Sequence, residues 1–326
     1  MIDIKNIEPN VVTASMHDKI WLFYGPPGTW KTTVATGNPQ RTLLIAYEIG
    51  YKFIPNVKAV NASNWHALKD VIRQLNDPEA QEMYDTIVVD TIGLAYKACM
   101  NFITAKKGVT EIGEIPYGQG YAMAKNEFEK TISSIPQMGY GLILIAHSDE
   151  LNDEKNGVSV KVDIDKRPSS VIKGMADFIL YTRKESKDNA TEKDQQAVYA
   201  YSETSNPNIE VKSRARFFPK RVEFTYENIL AALESAIAQQ DDFFKTKSVD
   251  APNFEIYKEP TVDLENLKTE IRAVGRELVE KGMNEQVNAI LQRELRGVSV
   301  TEANRTHIPA LYSVRDELND LKSKVE

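Results

Sequence analysis

The chain has 326 residues, a net charge of −7 and 42% apolar residues, with an isoelectric point near 5.4. That length holds one α/β domain plus a smaller unit, and the acidic balance argues against a stand-alone duplex-DNA binder, which is usually basic, so any nucleic acid is expected in a local groove or ring channel. No apolar run approaches the ~20 residues of a membrane span, the first residues lack the pattern of a secretory signal, and a single cysteine, Cys99, excludes an internal disulfide or a cysteine-based zinc site. A soluble protein of a reducing cytoplasm is expected, with Cys99 a buried structural thiol.

Residues 1–18 carry no strong pattern and are expected at most to add an edge strand. The next stretch, KIWLFYGPPGTWKTTV over 19–34, organises the rest. Ile20, Trp21, Leu22, Phe23 and Tyr24 make a buried-strand run that breaks at Gly25, Pro26, Pro27 and Gly28 and resumes as a helix from Lys31. Strand, glycine-containing turn and a helix opening on Lys-Thr form a phosphate cradle. Loop N–H groups face phosphate oxygens, Lys31 reaches the β- and γ-phosphates, and Thr32 offers its hydroxyl to Mg2+. Nucleotide contacts are therefore expected from Gly25, Pro26, Pro27, Gly28, Thr29, Trp30, Lys31, Thr32 and Thr33. One position departs from G-x-x-x-x-G-K-[ST]: Trp30 stands where glycine usually precedes the lysine, in a conformation a bulky side chain tolerates poorly. A chance turn or a decayed loop is the competing reading.

Asn38-Pro39 ends this helix, and residues 41–47 read as a second buried strand followed by Glu48. A carboxylate at the carboxyl end of a strand in a doubly wound sheet lies where ligands bind; a solvated strand end is the alternative. Residues 57–60 suggest a short strand. Residues 65–75 suggest an amphipathic helix with Leu68, Val71, Ile72 and Leu75 on one face. The run TIVVD over 86–90 closes on Asp90, the aspartate of the Mg2+ shell. Thr91, not glutamate, follows it, so the base that activates water must come from elsewhere, and Glu48 is the candidate. That arrangement points to the RecA-like branch of the phosphate-loop ATPases.

Residues 92–135 read as two helices around a loop at 106–121, either a plain surface loop or a contact for a partner or DNA. Residues 141–146 form another buried strand, ending in His147, a γ-phosphate sensor or simply a cap. The polar stretch 149–170 contains Asn156-Gly157, a hairpin turn signal, and is either a solvated hairpin or a basic loop that touches single-stranded DNA. A helix over 171–177, a strand over 178–182, a charged loop over 184–196 and a strand over 197–202 follow. Lys212 and Arg214 alternate and so face one side, as a finger reaching a neighbour's γ-phosphate or as a basic edge strand. A helix over 226–239 closes the core, and 240–260, with two prolines, reads as a linker. Beyond it Leu264, Leu267, Ile271, Val274 and Leu278 repeat at heptad spacing, Gly282 ends that helix, and further helices are expected over 285–295 and from 307 through Leu321.

With GPPGTWKTT, YEIG, TIVVDT, LILIAHS and KSR in place, roughly the first 230 residues resemble the phage-encoded RecA-like ATPases labelled as nucleotide-binding or AAA-family proteins. The resemblance implies a RecA-like P-loop NTPase core, an α/β fold whose mainly parallel sheet is flanked by helices. It also implies ATP with Mg2+ between neighbouring subunits, and action on single-stranded DNA in annealing, recombination or replication. Residue by residue, Lys31 and Thr32 become the phosphate and Mg2+ ligands, Glu48 the base, Asp90 the Mg2+ aspartate, His147 the sensor, and Lys212 and Arg214 the trans finger. The resemblance does not reach past residue 260. The expected organisation is a core over 1–239, a linker over 240–260 and a small helical domain over 261–326. The expected activity is a Mg2+-dependent ATPase working as a homo-oligomeric ring or filament, with other replication or recombination proteins as further partners. Two other readings stay open: a nucleotide-gated loader with little turnover, and a small-molecule kinase, for which no arginine-rich lid is visible.

Overall fold

Apolar runs that are too short for helices become strands of one sheet in a computed structural model, which describes residues 11–153, 157–187, 196–244, 263–295, 297–304 and 307–324. The strands are β1 (Ile20–Tyr24), β2 (Thr42–Ala46), β3 (Lys58–Asn61), β4 (Thr86–Asp90), β5 (Gly141–Ala146), β6 (Ser148–Asp153), β7 (Gly157–Val162), β8 (Phe178–Ser186), β9 (Gln196–Tyr201), β10 (Lys212–Ser213) and β11 (Arg221–Glu223). Between them lie α1 (Lys31–Ala35), α2 (Trp65–Leu75), α3 (Pro78–Met83), α4 (Ile92–Lys107), α5 (Gln119–Gln137), α6 (Lys166–Met175) and α7 (Tyr226–Phe244). The sheet order is β11-β9-β8-β1-β5-β4-β2-β3, with β10 beside β8, while β6 and β7 pair separately as a hairpin. β8, β1, β5, β4, β2 and β3 run parallel; β9, β10 and β11 join antiparallel.

Each central strand is buried on both faces, as a parallel sheet between helices requires. Leu22, Ile87, Val89, Leu142 and Leu144 meet Trp65, Leu68, Ile92, Tyr96, Phe128 and Ile132 from α2, α4 and α5 on one face. Trp21, Phe23, Val88, Ile143 and Ile145 meet Val34 of α1 and Ile229, Leu233 and Ile237 of α7 on the other. Cys99 is buried among the first set, and burial pushes its thiol up to about 12. It is a packing group, as expected.

Several boundaries differ from the sequence expectation, each for a local reason. No strand forms over residues 11–18; residues 1–10 lie outside the described set. α1 ends at Ala35, not at Asn38, because the chain turns at Gly37 against α7: a Cβ there would lie 2.3 Å from Cγ of Tyr226. β6 and β7 form the hairpin expected around 149–170, although Asn156 of its turn is outside the described residues. α6 starts at Lys166, where the Asp165 side chain accepts from Arg167 N, and stops at Met175. Asp177 then enters the sheet instead, exchanging backbone and side-chain bonds with Ile20. β8 runs on to Ser186 by pairing with β9, so part of the expected charged loop is strand; 188–195 lie outside the described residues. α7 reaches Phe244, five residues into the expected linker, with no glycine or proline to stop it.

The chain divides into two compact units, Met1–Ile256 and Tyr257–Glu326. The second is built from α8 (Leu264–Glu280), α9 (Asn284–Leu295) and α10 (Ile308–Ser323). Leu267, Ile271, Leu278, Val287, Leu311, Val314 and Leu318 form its own core, so the heptad-spaced residues of α8 pack within this unit.

Candidate nucleotide site

β1, β5, β4 and β2 end level with one another: Tyr24 pairs with Ala146, Ile145 with Asp90, and Asp90 with Ala46. The residues that follow these four ends therefore share one edge, the edge at which open α/β sheets bind ligands. Gly25–Lys31 follows β1, His147 follows β5, Asp90 closes β4 and Glu48 lies two residues beyond β2.

Backbone requirements shape the loop. Gly25 passes so close to β8 that a Cβ would lie 2.2 Å from Thr182 O, and Gly28 has φ +76°. Trp30 also has positive φ (φ 56°, ψ 24°) and caps α1 without a side-chain bond. A non-glycine residue pays about 1–2 kcal/mol for that conformation. Its indole is 53% exposed and does not fill the loop. Because α1 is only five residues long, its macrodipole is weak; the loop amides and Lys31 are the groups available to an anion.

Lys31 is buried, and its ammonium donates to Gly25 O at 2.9 Å, Pro26 O at 2.8 Å and Thr29 Oγ1 at 3.1 Å. Burial lowers its pKa to about 8, against the opposing pull of the Asp90 and Glu48 carboxylates. Thr32 Oγ1 donates to Asp90 Oδ2 at 2.7 Å. Asp90 is itself buried, which raises its pKa, while the Thr32 bond lowers it. The Asp90 carbonyl accepts from the backbone N–H groups of Tyr47 and Glu48, tying the ends of β4 and β2 together. Glu48 Oε2 lies 3.2 Å from His147 Nε2. His147 Nδ1 is buried with no hydrogen-bond partner among the described residues. Thr33 is exposed on α1.

Lys212 and Arg214 are not brought to this edge within one chain. Lys212 Nζ donates to the Lys173 carbonyl at the end of α6, and Arg214 pairs with Asp177 at 2.7 Å and donates to Gly174 O. Asp177 bonds to Ile20, the first residue of β1, so both cations stand at the opposite sheet edge, about 16 Å along the strand from the loop. Burial and the Arg214 charge lower the Lys212 pKa.

Sequence reasoning missed Thr182. It is buried at the junction of β8 and the loop, donating to Tyr24 O at 3.2 Å with its Oγ1 2.9 Å from Thr29 Oγ1. The signal was present: a polar residue closing the apolar run FILY, as Asp90 closes TIVV.

The loop and the Thr32–Asp90 pair fit a nucleotide with Mg2+. Among the described residues no three His, Cys, Asp or Glu side chains could enclose a metal. A cation would take Asp90 and Thr32 from the protein and its remaining ligands from phosphate and water, a set that Mg2+ accepts. Fold and loop together define the class, an α/β P-loop NTPase with a mostly parallel sheet between helices. Within that class the chain belongs to the AAA-domain family, whose profile matches residues 17–215 and so spans every site residue above. The chain is also similar to the SPbeta prophage-derived uncharacterized protein YorG of Bacillus subtilis (strain 168), 28% identical over 334 residues and covering 98% of both chains. Among solved structures it is similar to the flagellar accessory protein FlaH from Methanocaldococcus jannaschii, at 10% identity and a TM-score of 0.33, covering 64% of this chain and 85% of that one. Among the described residues no helix is long and apolar enough to cross a membrane.

Proposed function

We propose that this chain is a RecA-like, Mg2+-dependent ATPase that works as a homo-oligomer on single-stranded DNA in phage recombination or replication, in the host cytoplasm. The observation that carries the ATPase reading is the shared edge. Lys31, the Thr32–Asp90 pair and the Glu48–His147 pair follow four adjacent parallel strands in register. Its prophage-derived relative supports a phage setting. Action on DNA rests on the resemblance of the motifs, as do further partners among replication or recombination proteins.

In this reading Lys31 exchanges the Gly25 and Pro26 carbonyls for β- and γ-phosphate oxygens, and the loop amides hold the remainder of the chain of phosphates. Thr32 and Asp90 would hold Mg2+, which supplies charge neutralisation at the phosphate oxygens. Glu48 orients a water in line with the γ-phosphorus and accepts its proton as the bond to the β-phosphate oxygen breaks, releasing ADP and phosphate. His147, 3.2 Å from Glu48, holds that carboxylate on the loop side and shifts when a γ-phosphate arrives. Lys212 and Arg214 act in trans, giving up their bonds at the end of α6 to reach a neighbour's nucleotide.

A second reading, a nucleotide-gated loader with little turnover, draws on Trp30 in its left-handed conformation and on the engagement of Glu48 by His147. One experiment separates them: ATP turnover with and without single-stranded DNA across protein concentrations, beside Lys31→Ala. Turnover that requires Lys31, rises with DNA and climbs faster than linearly with protein supports the oligomeric ATPase. ATP binding without Lys31-dependent turnover favours the loader.

A further inference from the structure

We propose that Lys184 is a second phosphate-binding cation, acting from the same chain on the flank of the loop away from Asp90, its ligand being the phosphate chain of a nucleoside di- or triphosphate. The proposal rests on the nucleotide reading of the loop and adds a residue to it. β8 pairs with β1 only as far as Tyr24 and Tyr181, then continues to Ser186 against β9. Its last residues therefore pass beside the phosphate loop instead of ending below it. Strand alternation places Thr182 and Lys184 on one side. Thr182 touches Thr29 and Gly25, and two residues on, Lys184 Nζ lies 3.6 Å from where a Cβ of Gly28 would be. The ammonium thus stands against the middle of the loop.

Of its neighbours, Arg183 lines the same cavity but is committed to other partners. Arg183 pairs with Glu185 and lies over the ring of Tyr201. The Lys184 side chain has no hydrogen bond or ion pair among the described residues. It lines a cavity of about 680 Å³ with Pro26, Pro27, Thr29, Glu150 and Asn206, a size that suits a small-molecule ligand. A polyphosphate seated in the loop would lie beside the ammonium, which stands over Gly28. A phosphate chain seated in the loop attracts an ammonium group on either flank. A lysine serves here as a point charge, with no fixed fork to satisfy.

The test measures the affinity of the full-length protein for ATP and ADP, with Mg2+, in the wild type, Lys184→Ala, Lys184→Arg and Lys31→Ala, together with melting temperatures in the absence of nucleotide. Lys184→Ala is expected to weaken both nucleotides by about tenfold or more, with a shallower salt dependence. Lys184→Arg should recover most of that loss, and the nucleotide-free melting temperature should not move. If Lys184→Ala binds like the wild type while Lys31→Ala does not, the role of Lys184 is wrong and the nucleotide site stands. A loss of affinity accompanied by a lower melting temperature that arginine does not restore assigns Lys184 a structural role and also overturns the proposal. If the wild type binds neither nucleotide, the underlying reading fails first.

Discussion

At Lys31 burial and charge oppose each other. The side chain is buried with neutral oxygen partners only, two carbonyls and the Thr29 hydroxyl, and burial brings its pKa to about 8, whereas an unfolded lysine titrates near 10.4. Below pH 8 both states are charged and the native state bears the desolvation cost. Between pH 8 and about 10.4 the native lysine is neutral while the unfolded chain still holds the proton, so the stability of the nucleotide-free protein rises with pH across that window. Phosphate contact favours the ammonium, so nucleotide binding above pH 8 must take up a proton. Calorimetric titration at pH 9 in two buffers of different ionisation heat should give proton uptake approaching one per site, with none at pH 7. The ATP dissociation constant should rise about tenfold per pH unit beyond 8. Uptake that is absent at pH 9, or that persists in Lys31→Ala, assigns the proton elsewhere.

Among the elements, β8 contributes more than its apolar stretch suggests. Thr182 joins β8 to β1 and to the loop through one hydroxyl. Thr182→Val keeps the shape and deletes that hydroxyl, with its bonds to the Tyr24 carbonyl and Thr29. The expected cost is about 1–3 kcal/mol of unfolding free energy with a weaker ATP affinity, read by denaturant unfolding and calorimetry. An unchanged midpoint and unchanged affinity would show that the brace contributes nothing. At the far end of β8, Lys212 and Arg214 donate to carbonyls at the end of α6. Cations at a helix C-terminus are stabilising, so these residues have a local role in one chain whatever they do across an interface.

That interface is a question for the whole molecule, and complementation answers it. On the proposed reading, a Glu48→Gln chain keeps Lys212 and Arg214 but lacks the base, and an Arg214→Ala chain keeps the base but lacks part of the finger. Each alone should turn over ATP about a hundredfold or more slower than wild type, the scale of a lost general base or arginine finger. Mixed, they should regain turnover, because some interfaces then pair an intact base with an intact cation. A mixture as inactive as its components confines Arg214 to its bond with Asp177. The helical unit 257–326, with its own core, is a separate module in these terms.

The sequence alone determined the strands that end at Tyr24, Asp90 and Ala146, and the second strand to within a residue of its end at Ala46, because a buried parallel strand needs an unbroken apolar run and a polar or turn residue interrupts that run at its end. Hence Asp90, His147 and, two residues past its strand, Glu48 could be placed at strand ends from the sequence, and Lys31 and Thr32 at a helix start, all as candidates for the site proposed above. Only the tertiary structure decided that they share an edge, since strand order and register depend on contacts between residues as distant as 48 and 147. It also decided where a charged stretch becomes strand. Beyond Thr182 no apolar pattern marks β8; pairing with β9 extends it and carries Lys184 to the loop. The placement of Lys212 and Arg214 at the opposite edge was equally invisible, because alternation fixes which side of a strand a cation faces but not which end of the sheet that strand occupies.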